Sequence, residues 1–335
     1  MKIFLVSLFF IAGLAHGASS TLEKVRKRGQ LICGVAEGLP GFGQPDGKGG
    51  WSGIDIDLCR AVAAATLGDA KKIKFVPLNA KERFTALQSG AVDILSRNTT
   101  WTLQRDASLS LDFTGVTYYD GQGFMVKKKL KIKSVKQLNG ATICVNTGTT
   151  TELNLADYFR ANNLKFKMVA YEKNDEVVGA YLAGRCDAFS TDQSGLYAYK
   201  SAFKDPDEHV ILPEIISKEP LGPAVRHGDN TWGDIVRWTL YAMLEAEEFG
   251  VNLGNVNSLK TSTTNPSVKR LLGIEGDLHK GLELDKDWVF RIISQVGNYE
   301  DIFESNLGSK SPLKIARGQN ALWNKGGLQY AMPIR

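Results

Sequence analysis

One arginine stands out among the residues of this chain that could hold a small anion. Arg105 lies in residues 96–106 (SRNTTWTLQRD), a few positions after a cluster of hydroxyl and amide side chains that follows a short apolar run. A guanidinium is planar and permanently charged, so it can bind a carboxylate bidentately while hydroxyls and backbone N–H groups fill the remaining lone pairs. Such a set suits binding better than catalysis. The segment therefore predicts a site for a small carboxylate.

The elements before this segment alternate between strand and helix. Apolar residues recur at helical spacing in residues 54–65, and Gly68 follows as a typical helix end. Predicted strands at 30–35 and 72–77 flank that helix, and a short buried strand, 92–95, leads directly into the arginine segment. Alternating strands and helices indicate an α/β lobe whose ligand sites lie beyond the carboxyl ends of its strands.

The same order of elements recurs later in the chain. A predicted strand at 141–145 precedes a threonine-rich turn at 146–151 and an amphipathic helix at 152–161, and another strand at 186–190 ends in polar residues. Two similar lobes that face each other across a cleft account most simply for this repetition. The predicted fold class is therefore α/β, with each lobe a sheet flanked by helices.

Two extended apolar segments, 121–127 and 220–226, are bounded by glycine or proline and are predicted to be hinge strands between the lobes. The predicted domains are residues 18–125 together with 225–335 for lobe 1, and residues 126–224 for lobe 2. Helical patterns continue after the second hinge segment. From about residue 264 they form a helical C-terminal extension that is expected to pack on lobe 1.

The chain begins with the pattern of a cleaved export signal. Lys2 precedes an apolar run over residues 3–14, and Ala15 and Gly17 stand at the minus-three and minus-one positions of a cleavage site. The run is too short to remain across a bilayer, and no cysteine follows it for lipid attachment. Residues 1–17 are therefore predicted to be a signal peptide, rather than a buried helix, on a soluble exported protein.

Charge and cysteine content narrow the function classes further. The formal net charge of +5, or about +4 without the signal peptide, is small and dispersed, so no nucleic-acid partner is expected. An even number of cysteines in an exported protein favours disulfides over free thiols. Three pairings are possible, and Cys33 with Cys59 and Cys144 with Cys186 would each lie within one lobe. No C-x-x-C spacing occurs and the histidines are scattered, so no metal site is predicted.

Several longer motifs together resemble one protein family. They are residues 55–65 (DIDLCRAVAAA), 96–106, 118–126 (YYDGQGFMV), 146–162 (NTGTTTELNLADYFRAN), 184–196 (GRCDAFSTDQSGL), 210–229 (VILPEIISKEPLGPAVRHGD) and 316–335 (ARGQNALWNKGGLQYAMPIR). With these motifs the chain resembles the periplasmic solute-binding proteins of polar-amino-acid ABC transporters, bacterial solute-binding protein family 3, and most closely the general L-amino-acid-binding branch. The resemblance implies a type II periplasmic-binding-protein-like fold, with two lobes joined by two hinge strands.

In the first lobe the resemblance assigns three ligand-binding residues. Arg105 matches the arginine that binds the α-carboxylate of the ligand, and Thr100 matches the residue whose backbone N–H and side chain support it. Asn98 matches the position whose oxygen faces the α-ammonium. The alternative for Arg105 is a surface ion pair with Asp106 or Asp112, which would contribute little.

In the second lobe the resemblance assigns the other half of the site. Thr149 and Thr150 match a G-T-T turn where a helix begins, and Thr150 would complete the carboxylate clamp because helix N-termini present unpaired N–H groups. Either threonine could instead be a plain helix N-cap. Asp192 matches the aspartate that pairs with the α-ammonium, and its alternative is also a helix cap.

The chain departs from the family pattern where the ligand side chain would lie. Many relatives hold that side chain between two aromatic residues, whereas this chain has Leu39 and Ala80 at the matching positions. A roomier and less selective pocket is therefore expected. Arg97, Glu37 and Asn79 lie near these positions and would tune the pocket, although each residue type is more often a solvated charge or a turn residue.

The resemblance implies a receptor that binds L-amino acids with broad specificity and delivers them to the permease subunits of an ABC transporter. Such a receptor would be a periplasmic monomer without cofactor or catalytic residues, and its lobes would close around the ligand. The alternative is a periplasmic enzyme on the same scaffold, similar to cyclohexadienyl dehydratase. It would need a general acid or base beside the clamp, and only Glu37 and Asp192 offer convenient carboxylates.

Overall fold

The computed structural model describes residues 20–335, so the predicted signal peptide, residues 1–17, lies outside the described residues. The chain up to the first crossing between lobes contains α1 (Thr21–Arg28), β1 (Leu31–Ala36), β2 (Gln44–Pro45), β3 (Trp51–Ser52), α2 (Ile54–Leu67), β4 (Ile73–Leu78), α3 (Arg83–Gln88), β5 (Ile94–Leu95), β6 (Leu111–Phe113) and β7 (Tyr118–Asp120). Helix α1 begins at a capping box in which Ser20 and Glu23 each accept a hydrogen bond from the other's backbone N–H. A single turn of π-helix, Gln104–Ser108, lies between β5 and β6.

The second lobe and the return to the first follow in chain order. These elements are β8 (Gln122–Lys127), β9 (Ala141–Asn146), α4 (Thr150–Ala161), β10 (Phe166–Tyr171), α5 (Asn174–Leu182), β11 (Ala188–Asp192), α6 (Gln193–Ser201), β12 (His209–Ile211), β13 (Glu219–Leu221) and β14 (Ala224–Arg226). The C-terminal helices are α7 (Asn230–Glu248), α8 (Val256–Ser262), α9 (Pro266–Leu271), α10 (Trp288–Gln295) and α11 (Tyr299–Asn306). No helix within residues 20–335 is both long enough and apolar enough to cross a membrane.

The two large sheets have matching topologies. Their strand orders are β4-β1-β5-β14-β6 and β10-β9-β11-β8-β12. In each sheet the first strand of the βαβ unit pairs in parallel with two others, and the strand that arrives from the hinge pairs antiparallel. Parallel strands connected by helices place their carboxyl ends at one edge of each sheet. The predicted fold of two similar α/β lobes is confirmed.

The crossing between the lobes is a separate two-stranded ladder. Strands β7 and β13 pair antiparallel, with Asp120 opposite Glu219 and Tyr118 opposite Leu221. This corrects the predicted hinge strands: most of 121–127 is β8, an internal strand of the second sheet, and the end of 220–226 is β14 of the first sheet. The predicted lobe boundary at residue 126 therefore falls inside β8. A continuous apolar run does not distinguish a crossing strand from a buried sheet strand, so the pattern shifted the hinge.

One disulfide cross-links each lobe, as predicted. Cys33 of β1 is joined to Cys59 of α2 with Cα atoms 6.4 Å apart, and Cys144 of β9 is joined to Cys186 with Cα atoms 5.7 Å apart. The first disulfide joins a strand to a helix of the first lobe, and the second joins β9 to the segment before β11 in the second lobe. Neither one restrains movement between the lobes.

The C-terminal extension packs on the first lobe. Helices α10 and α11 bury one apolar face each against α2 and α7, as the helical pattern predicted. The extension also reaches the hinge, because Tyr299 Oη donates a hydrogen bond of 2.7 Å to the Thr117 carbonyl and Asn320 Oδ1 accepts one of 2.7 Å from Tyr119 N–H. The first-lobe end of the hinge is therefore held by the extension.

Candidate functional site

A cavity lies in the cleft, where the carboxyl ends of the strands of both sheets meet. Most of the predicted site residues contribute to its wall: Leu39, Ala80, Arg97, Asn98 and Thr100 from the first lobe, and Thr149, Thr150 and Asp192 from the second. Arg105 lies directly behind Thr100, and its Nη1 donates a hydrogen bond of 2.8 Å to the Thr100 carbonyl. Most of the residues singled out from the sequence therefore lie around one cavity.

Arg105 is a buried cation without a carboxylate partner in the described part of the chain. It lies on the π-helical turn with only 6% of its surface exposed. Asp106 and Asp112 do not pair with it; both face His227, at 3.9 and 3.2 Å. Burial lowers the pKa of Arg105 to about 10, with the nearby carboxylate of Glu219 opposing that shift, so the guanidinium stays charged at neutral pH. The surface ion-pair alternative is thereby excluded within residues 20–335.

Two further arginines from the first lobe lie in the same wall. Arg97 is buried, and its Nε donates a hydrogen bond of 2.7 Å to the Leu78 carbonyl. Arg83 is 2% exposed, makes only long hydrogen bonds of 3.5 and 3.4 Å to the Arg97 carbonyl and Thr99 Oγ1, and has no partner for its Nε. Burial, reinforced by the positive charges nearby, lowers the pKa of Arg83. Burying a cation without an anion is costly, so this wall is built to receive negative charge.

The backbone of the arginine segment is fixed by a buried carboxylate of α2. Asp55 accepts a hydrogen bond of 2.7 Å from Asn98 N–H and one of 3.1 Å from Ser96 Oγ. Asn98 adopts a φ of 30°, in the left-handed region that asparagine tolerates better than most residues. The turn aims the Asn98 side chain into the cavity. Burial raises the pKa of Asp55 to about 6, although these hydrogen bonds oppose the shift.

The second lobe contributes the N-terminus of α4. Thr149 is its N-cap: Oγ1 accepts a hydrogen bond of 3.2 Å from Glu152 N–H and donates one of 2.7 Å to the Asn146 carbonyl. The backbone N–H groups of Thr150 and Thr151 have no acceptor among the residues that the structure describes. Unpaired N–H groups at the start of a twelve-residue helix favour an anion. Thr149 is thus a cap and also part of the cavity wall.

Asp192 supplies negative charge from the second lobe. It ends β11, is 7% exposed, and makes neither the helix-cap hydrogen bond of its alternative interpretation nor any ion pair within residues 20–335. Burial, together with the nearby carboxylates of Asp120 and Glu219, raises its pKa well above the usual range. Asp120 is itself bound by Ser194 and Gly121, and burial raises its pKa to about 6. Asp192 is therefore a buried carboxylate that a ligand cation would stabilise.

The pocket for a ligand side chain differs from the expectation in two respects. Leu39 and Ala80 line the cavity, whereas Glu37 is half-buried and does not reach the wall. Burial raises the pKa of Glu37, and the charge of Arg97 opposes that shift. Asn79 is a turn residue, because its Oδ1 accepts hydrogen bonds from the two backbone N–H groups that precede α3.

Sequence reasoning missed several residues at the site, and three of them bear on its chemistry: Arg83, Asn146 and Glu219. Arg83 is the first residue of α3, which follows the end of β4, the kind of position where sites form in α/β sheets. Asn146 ends β9, and its buried Nδ2 faces the cavity without a partner. Glu219 lies on the hinge strand β13, where the strand pattern carries no signal of a polar contact.

Two matching α/β lobes, a two-stranded hinge and buried charges of opposite sign on the two sides of one cleft define a two-lobed solute-binding protein. The chain belongs to the bacterial extracellular solute-binding proteins, family 3, whose sequence profile matches residues 31–251. The resemblance inferred from the sequence is therefore confirmed.

Relatives with similar sequences cover nearly the whole chain. The chain is 59% identical to the general L-amino acid-binding periplasmic protein AapJ of Rhizobium johnstonii, over 96% of this chain and 95% of that protein. It is 54% identical to the glutamate/glutamine/aspartate/asparagine-binding protein BztA of Rhodobacter capsulatus, over 97% of both. A solved structure of an ABC transporter periplasmic binding protein from Brucella ovis with glutathione bound is 61% identical, covers 95% of this chain and all of that chain, and superposes with a TM-score of 0.92.

Proposed function

We propose that this protein captures L-amino acids in the periplasm and presents them to the permease subunits of an ABC transporter, as a monomer without a cofactor. One observation carries the proposal: buried arginines on the first lobe face a buried carboxylate, Asp192, on the second. An amino acid carries both complementary charges on two groups attached to the same carbon atom. Binding such a ligand compensates both buried charges at once, which neither lobe does alone.

The α-carboxylate of the ligand would bind beside Arg105 and the N-terminus of α4. The guanidinium is held by the Thr100 carbonyl, and the free N–H groups of Thr150 and Thr151 approach from the opposite lobe. Charge-assisted hydrogen bonds of this kind are about twice as strong as neutral ones. The α-ammonium would lie against Asp192. Each end of the zwitterion thus contacts a different set of groups.

The side-chain pocket favours ligands with a second carboxylate or an amide. The single charge of an α-carboxylate is balanced by Arg105, so the positive charges of Arg83 and Arg97 are left for a second acidic group. The free Nδ2 of Asn146 offers a further hydrogen-bond donor. The name of BztA lists acidic amino acids and their amides, and glutathione, bound to the Brucella ovis protein, carries two carboxylates. The breadth expected from Leu39 and Ala80 is therefore proposed to extend mainly over acidic and amide-bearing ligands.

An enzyme on this scaffold remains the alternative. The site has more carboxylates than the sequence indicated, because Asp120 and Glu219 lie near Asp192. Both are held by several hydrogen bonds within the protein, so neither is free to exchange a proton with a substrate. The family and the relatives compared above are solute-binding proteins. Binding without turnover is the function that these contacts support.

A calorimetric panel on protein stripped of ligand by unfolding and refolding tests the proposal. L-glutamate, L-aspartate and L-glutamine are expected to bind with dissociation constants of about 1 nM to 10 μM. Mass spectrometry of each ligand after prolonged incubation should show it unchanged. Failure to bind any amino acid would contradict the receptor function, and conversion of a ligand would support the enzyme.

The role of Arg83 in ligand choice is tested by the same panel. Arg83→Gln should weaken L-glutamate more than L-glutamine, by about tenfold, because only the acidic side chain needs a cation. Arg237→Gln is the matched control, since Arg237 lies on the surface and pairs with Asp234. Equal losses for both ligands would show that Arg83 supports the fold of the site and does not select the ligand.

A further inference from the structure

Glu219 is the most completely hydrogen-bonded carboxylate near the cleft. It lies on the hinge strand β13 with 1% of its surface exposed. Its Oε2 accepts hydrogen bonds from Thr100 Oγ1 at 2.6 Å and Thr150 Oγ1 at 2.8 Å. Its Oε1 accepts hydrogen bonds from Asn154 Nδ2 at 2.7 Å and Ser217 Oγ at 2.6 Å. Two donors on each oxygen satisfy a buried carboxylate.

These donors come from both lobes. Thr100 follows β5 of the first lobe, whereas Thr150 and Asn154 lie on α4 of the second. The two threonine hydroxyl oxygens are 3.4 Å apart across the cleft. Because β13 connects the lobes, any hinge movement displaces Glu219 from at least one of these donor sets. The full set of hydrogen bonds therefore exists only while the lobes are together.

The contacts also determine what the threonines can offer a ligand. A hydroxyl group has a single proton, and both threonines donate theirs to Glu219. The hydroxyls therefore cannot donate at the same time to a bound carboxylate. That carboxylate is left with backbone N–H groups and Arg105, which revises the side-chain role expected for Thr100.

We propose that Glu219 is a positioning residue that ties the hinge to the ligand site: it fixes the two threonines and holds the lobes together, and so slows ligand release. The inference rests on the proposed amino-acid-binding function. It predicts an effect on the rate of ligand release. Breaking an interaction that exists only while the lobes are together raises the dissociation rate and leaves the association rate nearly unchanged.

Stopped-flow kinetics with L-glutamate test this role. Glu219→Gln keeps the shape of the side chain but replaces an acceptor oxygen with a donor, so the dissociation rate should rise about 10- to 100-fold while the association rate changes by less than about threefold. Glu172→Gln is the matched control, because Glu172 also contacts the other lobe but is exposed. A merely structural role would lower the melting temperature and the bound fraction without changing the dissociation rate.

Asn154→Leu provides a second variant, since it removes one second-lobe donor and leaves Glu219 in place. It should raise the dissociation rate less than Glu219→Gln does, and the double variant should show less than the product of the two effects. If Glu219→Gln does not fold, Asn154→Leu alone carries the test. A dissociation rate within twofold of wild type in every folded variant would overturn the inference.

A ligand-independent measurement separates this inference from the proposed function. Small-angle scattering of the stripped protein should show a larger radius of gyration for Glu219→Gln than for wild type, because lobe contacts are lost. If wild type binds no amino acid but the variant expands, the proposed function fails and the linking role of Glu219 stands. If wild type binds and the variant shows neither expansion nor faster release, only the role of Glu219 fails.

Discussion

The two halves of the site are charged in opposite ways. The first lobe contributes the buried guanidiniums of Arg83, Arg97 and Arg105, and none of them forms an ion pair within residues 20–335. The second lobe contributes Asp192, together with the free N–H groups that begin α4. Each half carries a charge that burial penalises. Under the proposed function the ligand supplies the missing partner of both lobes, and this would couple recognition to closure.

Removing the principal cation of the first lobe should have the largest effect. Arg105→Ala deletes the group expected to bind the α-carboxylate, so the affinity for L-glutamate should fall by at least about 100-fold in calorimetry. Arg185→Ala is the control, because Arg185 is exposed on the second lobe. Circular dichroism establishes that both variants are folded. An affinity for L-glutamate in Arg105→Ala within tenfold of wild type would remove the carboxylate assignment.

Neutralising the second lobe should have the next largest effect. Asp192→Asn keeps the shape but loses the charge, so L-glutamate should weaken about 30- to 100-fold, whereas glutarate, which has no ammonium, should change by less than about threefold. Asp157→Asn, on the exposed face of α4, is the matched control. Equal losses for L-glutamate and glutarate would show that Asp192 does not contact the ammonium.

Lowering the pH should weaken ligand binding by protonating Asp192. Burial raises the pKa of Asp192, and that of Asp120 to about 6, so these groups hold protons at a higher pH than exposed carboxyls do. The ligand ammonium favours the ionised form of Asp192, so binding releases a proton. Affinity should therefore fall as the pH is lowered through the raised pKa of Asp192, by at most about tenfold per pH unit. A profile equally steep in Asp192→Asn would assign the effect to another group.

The exposed contact between the lobes should matter least. Lys81 of the first lobe pairs with Glu172 of the second at 2.7 Å, but both side chains are more than half exposed. Solvent and salt screen such a pair. Glu172→Gln should therefore change the L-glutamate affinity by less than about twofold, and any effect should disappear in high salt. A tenfold loss that persists in high salt would mean that the surface pair, and not the buried charges, controls closure.

The sequence predicted those features that are carried by local patterns. The alternation of strands and helices revealed two lobes, and the arginine segment, the threonine turn and Asp192 were placed by their motifs. The structure brings them to one cleft because the carboxyl ends of parallel strands meet there. Their roles in ligand binding stay predictions that the variants above test.

What could not be predicted depends on contacts between distant parts of the chain. Arg83 and Asn146 come from different lobes, and only their packing shows that each has a polar atom without a partner. Glu219 accepts hydrogen bonds from residues up to 119 positions away along the chain. The predicted hinge segments extended into the sheets, although residues 220 and 221 do lie in the crossing strand β13, because a buried sheet strand and a crossing strand have the same apolar pattern. None of these features has a periodic or compositional signal.

The site is proposed to bind both charged ends of an amino acid, one from each lobe. Calorimetry with L-glutamate, glutarate and 4-aminobutyrate on one preparation of wild-type protein tests it most directly, because the second ligand lacks the α-ammonium and the third lacks the α-carboxylate. L-glutamate should bind at least about 100-fold more tightly than either of the others. Glutarate or 4-aminobutyrate binding within tenfold of L-glutamate would contradict the claim.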